Sequence, residues 1–152
     1  MDEKNTEMLM QLLKSAAPED LDDFRKENLP GVAPSFVAYM DGLLAERELK
    51  RQELLQKADI PQKYGYKLLS GESHTANRDN LLRLFIALGL DLQQAQRGLT
   101  LYGMPVLYPK LSRDAVFIIA FNRRVDSVDL VDRWLTGHGE EPLYRSPDKT
   151  FP

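Results

Sequence analysis

The chain of 152 residues has no cysteine, one tryptophan and two histidines. Without thiols it forms neither disulfides nor thiolate metal sites. His74 stands in a polar loop and His138 between two glycines, and neither has a second ligand at metal-binding spacing. A glycine-rich phosphate loop is missing, as is a serine set in a nucleophile elbow. Acid pairs such as Glu140 and Glu141 suit a helix exit better than general acid–base work. These absences argue against an enzyme and call for no cofactor and no metal. No apolar run approaches the roughly 20 residues needed to span a bilayer. The opening MDEKNTE is acidic where a signal peptide is basic, so the cytoplasm is the expected location, away from membranes.

A basic excess is also missing. Hydrophobic residues at 43% and charged residues at 28% describe an ordinary globular chain, and the length suits one compact domain. The net charge is −3, whereas a protein that grips phosphates usually shows a basic excess. The distribution matters more than the total. Residues 1–34 carry eight acids against four bases, residues 35–78 six against seven, and residues 79–152 nine of each. The acidity therefore sits mostly in an N-terminal arm.

What is present is helical patterning punctuated by caps and breakers. Residues 6–15 place Met8, Leu9, Leu12 and Leu13 on one stripe, with Thr6 as a candidate cap. Pro18 starts a second short helix whose acids lie in its first turns, where they complement the positive end of the helix dipole. Residues 29–34, with two prolines and a glycine, read as a linker. Ser35 then caps a helix with Phe36, Met40, Leu43 and Leu44 at helical spacing. Gly42 costs about 1 kcal/mol in a helix interior, so a close packing contact is expected to require it.

Residues 50–71 form the centre of the pattern. Leu54, Leu55 and Ala58 stripe one short helix, Asp59 and Ile60 bend, Pro61 restarts the chain and Gly71 stops the next helix. GESHTAN is a loop. Asn77 caps a helix with Leu81, Leu84, Phe85 and Leu88, ended by Gly89, and Asp91 opens another with Leu92, Ala95, Leu99 and Tyr102, closed by Gly103.

Beyond Gly103, MPVLYPK reads as an extended connector. AVFIIAF suits a buried strand or a helix sunk in the core; helix is chosen because every neighbour is helical. Asp126 or Ser127 caps a last helix with Val128, Val131, Trp134 and Leu135. Residues 145–152 read as a disordered tail.

From residue 35 to residue 102 the chain resembles the phage repressor and Cro (Xre-type) helix-turn-helix domain. The resemblance rests on RQELLQKADIPQKYGYKLLSG followed by NLLRLFIALGLDLQQA. It is also similar to a bacterial subfamily with YGY in the second helix, YP further on and a terminal GEEPL, matched by residues 64–66, 108–109 and 139–143. The resemblance implies an all-α, lambda-repressor-like helix-turn-helix bundle with extra N- and C-terminal helices. Its parts are an N-terminal arm and linker at 1–34, the helix-turn-helix domain at 35–103, a packed helical extension at 104–144 and the tail. It implies a transcriptional regulator that reads double-stranded DNA in the major groove, as a homodimer on palindromic sites.

The same resemblance implies roles residue by residue. Gln62, Lys63 and Lys67 face base edges; Gln pairs with adenine and Lys donates to guanine. Arg51 clamps a phosphate, with Ser73, His74 and Asn77 as auxiliary backbone contacts. Three positions depart from the family. Leu55 and Gly65 exchange the usual small and large residues, Lys50 replaces a capping Ser or Thr, and Glu72 stands where the subfamily is basic. One of Tyr64 and Tyr66 is expected to fill the space beside Gly65 in preference to stacking on a base or sugar. The competing reading, motivated by Glu72 and the net charge, is an adaptor that keeps the fold and binds another protein through the acidic arm and exposed aromatics.

Overall fold

The computed structural model describes residues 35–145; the helices expected within 1–34, the linker and the tail from 146 onward lie outside them. The chain divides into two compact units, Met1–Ser35 and Phe36–Pro152, and every described helix belongs to the second. Among the described residues there are seven helices and no strand: α1 Phe36–Glu46, α2 Arg51–Ala58, α3 Gln62–Ser70, α4 Arg78–Ala87, α5 Leu92–Tyr102, α6 Ser112–Asn122 and α7 Val128–Gly137.

Local chemistry explains most of the boundaries. Asn77 accepts the Asp79 N–H at 2.9 Å to start α4. Asp91 and Gln94 cap α5 reciprocally, at 2.8 and 3.1 Å. Ser127 accepts the Leu130 N–H at 3.2 Å to start α7. The ammonium of Lys50 has no lone pair to offer at the start of α2. Glu53 compensates by accepting the Lys50 backbone N–H at 3.1 Å, which satisfies half of a capping box.

α4 is the central helix, packed against α2, α5 and α7. Every residue from Asp79 to Ala87 is buried, where the sequence pattern showed only one stripe. A helix surrounded on all sides buries its polar residues too, and Asp79, Asn80 and Arg83 are the outcome. α4 and α5 approach closely because Gly98 accepts the ring of Phe85. A Cβ on Gly98 would stand 2.5 Å from the Phe85 Cζ. The single core runs from Phe36 to Leu143, so the helices before and after Gly103 share it.

One expectation is corrected. Gly42 is exposed and an added Cβ would meet nothing within 4 Å, so no packing contact requires it. Arg145, the last described residue, pairs through its guanidinium with Asp59. The AVFIIAF segment is helical, but only Phe117, Ala120 and Phe121 are buried, and Ile119 is 50% exposed.

Buried charges fix the C-terminal third. Asp79 receives a bidentate bond from Arg113, at 2.7 and 3.0 Å, and the Tyr144 N–H at 2.8 Å. Arg83 donates to the carbonyls of Tyr144 at 2.7 Å, Leu143 at 3.1 Å and Ala58 at 3.3 Å. Asp132 of α7 accepts the Leu143 N–H at 2.7 Å. The connector between α5 and α6 is held similarly, by Gln96 bonding both backbone groups of Leu107 and by Asp114, which pairs with Arg78 and accepts the Tyr108 N–H at 2.9 Å.

Candidate nucleic-acid interface

α2 and α3 meet at a tight corner. Asp59 adopts the left-handed conformation, φ 57°, and the Ile60 N–H closes on the Leu55 carbonyl at 3.0 Å. The inner faces are anchored by Leu54, Leu55, Ala58, Ile60, Leu68 and Leu69, all buried. Gly65 lies directly on Leu55; a Cβ there would sit 2.3 Å from Cδ2 and 2.7 Å from Cδ1. The large and small residues therefore do face each other across the corner. Tyr64 packs against the core, and its hydroxyl accepts the Asn80 amide at 3.3 Å. Tyr66 points the other way and is exposed.

The outer face of α3 consists of Gln62, Lys63, Tyr66 and Ser70, all exposed, with Lys67 half-buried at its edge. Gln62, Tyr66 and Ser70 recur every four residues, which puts them on one line along the helix. Among the described residues the side chains of Gln62, Lys63 and Lys67 make no hydrogen bond or ion pair. Gln62 and Lys63 are exposed at the start of the helix, and Lys67 lies in its last turn.

The four remaining sequence-selected residues are already engaged. Arg51 donates to Asp41 at 2.8 Å, an exposed pair that uses one of five guanidinium donors and places a carboxylate beside any incoming phosphate. The Ser73 N–H closes α3 on the Lys67 carbonyl at 3.1 Å. His74 stacks on Tyr102, centroids 4.3 Å apart and planes 24° apart, and the Tyr102 hydroxyl accepts the Thr75 N–H at 2.6 Å. Burial pushes the Tyr102 phenol up, so it stays neutral and able to donate as well. Asn77 has spent its carbonyl oxygen on the α4 cap.

No family model, curated protein or solved structure matches the chain. The site therefore rests on its own geometry. No group of three or more His, Asp or Glu suited to a metal ion occurs among the described residues, and none of their helices is long and apolar enough to cross a membrane. Of the two tyrosines that the sequence leaves between core filling and stacking, Tyr64 packs against the core and Tyr66 sits at the middle of the outward face of α3. One feature escaped the sequence reading. The buried Arg83 stands alone in the apolar run NLLRLFIALG, which is the signal of a charge with an inward task.

Proposed function

We propose that α2, the corner and α3 form a helix-turn-helix that reads double-stranded DNA, and that the protein is a transcriptional regulator of the repressor and Cro type. The observation carrying this reading is the outward face of α3. It offers one amide and two ammonium groups without internal partners, on a helix whose opposite face is locked by Leu55, Leu68 and Leu69. Placed in a major groove, Gln62 and Lys63 meet base edges first, because they open the helix and its N-terminal residues reach deepest. Lys67, one turn on, follows the same strand. Arg51 can turn its unused donors to a phosphate. Reading palindromes as a homodimer is part of the same proposal.

Selection of genomic fragments by the purified protein supplies the site. Affinity for it should fall steeply with salt, and removing the phosphate contact by Arg51→Ala should reduce the log–log salt slope by about 0.9. Lys63→Ala with Lys67→Ala should abolish preference for the selected site over unrelated duplex. Absence of duplex binding at low salt would end the proposal. The adaptor reading is the alternative, favoured by exposed Glu72 and by the Asp41 carboxylate on Arg51. Capture of a protein partner that survives high salt, without duplex binding, would establish it.

A further inference from the structure

α6 and α7 enclose a groove of about 410 Å³ on the side of the molecule built by the C-terminal helices. Its walls are Val116 and Ile119 of α6 and Trp134 of α7, and its polar groups are Ser112, Arg123 and His138. Among the described residues no carboxylate lines it. The volume lies within the range of small-ligand sites, roughly 300–1,000 Å³, and such sites combine apolar walls with a few polar groups.

Three observations select the kind of occupant. The guanidinium of Arg123, immediately after α6, makes no hydrogen bond or ion pair among the described residues, so its donors are available. His138 bonds the backbone carbonyl of Trp134 through Nδ1 at 2.8 Å, which holds the ring at the C-terminal end of α7 and places the proton on Nδ1. Ile119 is half exposed, so an apolar body entering the groove covers hydrocarbon that now faces water. A second copy of this chain suits the groove poorly. A two-fold contact sets the same patch against itself, and this patch carries Arg123 with no carboxylate among its described lining residues to complement it.

We propose that the α6–α7 groove binds a small amphipathic anion, a carboxylate or sulfonate on an apolar or aromatic body. The head group pairs with Arg123 and the body lies against Val116, Ile119 and Trp134. The proposal does not depend on the DNA reading.

The full chain carries its own reporter, because Trp134 is its single tryptophan. The probe is 8-anilinonaphthalene-1-sulfonate, followed by energy transfer from Trp134 and competed with decanoate or with decanol. Saturable one-to-one binding with quenched Trp134 emission is expected. Decanoate should displace the probe at about one-tenth of the decanol concentration, and Arg123→Gln should weaken the probe about tenfold and erase that difference. Ile119→Glu, at an exposed position, should abolish binding while the far-ultraviolet helix signal is retained. Unchanged Trp134 emission, equal competition by decanol, or Arg123→Gln binding like the wild type would overturn the proposal. So would a dimer in sedimentation that dissociates as the probe binds, since the groove would then belong to a second copy.

Discussion

At the scale of single residues, the corner between α2 and α3 depends on one side chain and one absent side chain. Leu55 is fully buried and its methyl groups rest where a Gly65 Cβ would be. Any larger residue at 65 must push Leu55 into a core that is packed as tightly as a crystal. Gly65→Ile should therefore lower stability by about 1–3 kcal/mol, although isoleucine is the better helix former. Adding Leu55→Ala restores the total volume, and the double variant should recover most of the loss. Urea unfolding of the two single variants and the double variant gives the coupling; additive losses would mean that the two residues do not share this space. Gly42 presents the opposite case. It lies within α1, exposed, with open space where its Cβ would be, so Gly42→Ala should raise stability by about 0.5–1 kcal/mol. A lower melting temperature for that variant would show that the exposed face of α1 needs the bare backbone.

At the scale of elements, Arg83 ties α4 to two distant pieces of chain. Its three bonds to carbonyls join the last residue of α2 to the segment before Arg145, and Arg145 returns to Asp59 at the same corner. Burial lowers its pKa, with the carboxylates of Asp132, Asp59 and Asp79 opposing that trend, and it remains a cation. Arg83→Met should fill the volume but orphan three carbonyls, at a cost of about 3 kcal/mol or more. Limited proteolysis should then cut within residues 140–145, where the wild type resists. Cleavage at equal rates in both proteins would show that the strap is held without Arg83. The helices themselves were legible from the sequence because their signals are local: Asn77, Asp91 and Ser127 cap, and Gly71 and Gly103 stop, within a few residues of what they control. The strap was not legible, because its partners lie some 60 positions away and residues such as Arg145 look solvated by composition. The same distance dependence explains Gly42, whose surroundings are decided by where other helices stand. The outward placement of Gln62 and Lys63 was legible, since the buried positions Leu68 and Leu69 fix the phase of α3; the half-burial of Lys67 and the stacking of His74 on Tyr102 were not.

At the scale of the whole molecule, charge is used to join elements more than to set a field. Arg113 to Asp79 and Arg78 to Asp114 both bind α4 to α6, and the Asp114 carboxylate is almost wholly buried. Such pairs bind firmly only while both members are charged. Burial alone pushes the Asp79 carboxyl up; the bidentate bond from Arg113, the Tyr144 N–H and the charges of Arg113 and Arg78 outweigh it and hold the group below the ordinary carboxylate value. The bond to Asp79 in turn raises the pKa of Arg113, so that partner stays charged throughout. A carboxylate depressed in the folded state stabilises the protein above its unfolded pKa, and the contribution disappears as pH falls through the folded pKa. Asp79→Asn should be less stable than the wild type by a constant margin from neutral pH down to about pH 5, and the margin should shrink progressively below about pH 4. Denaturant unfolding of both proteins across that range reads the margin directly. A margin that stays level to the lowest pH at which the wild type remains folded would mean that the hydrogen bonds of Asp79, and not its charge, hold α6 and the C-terminal strap to the centre of the fold.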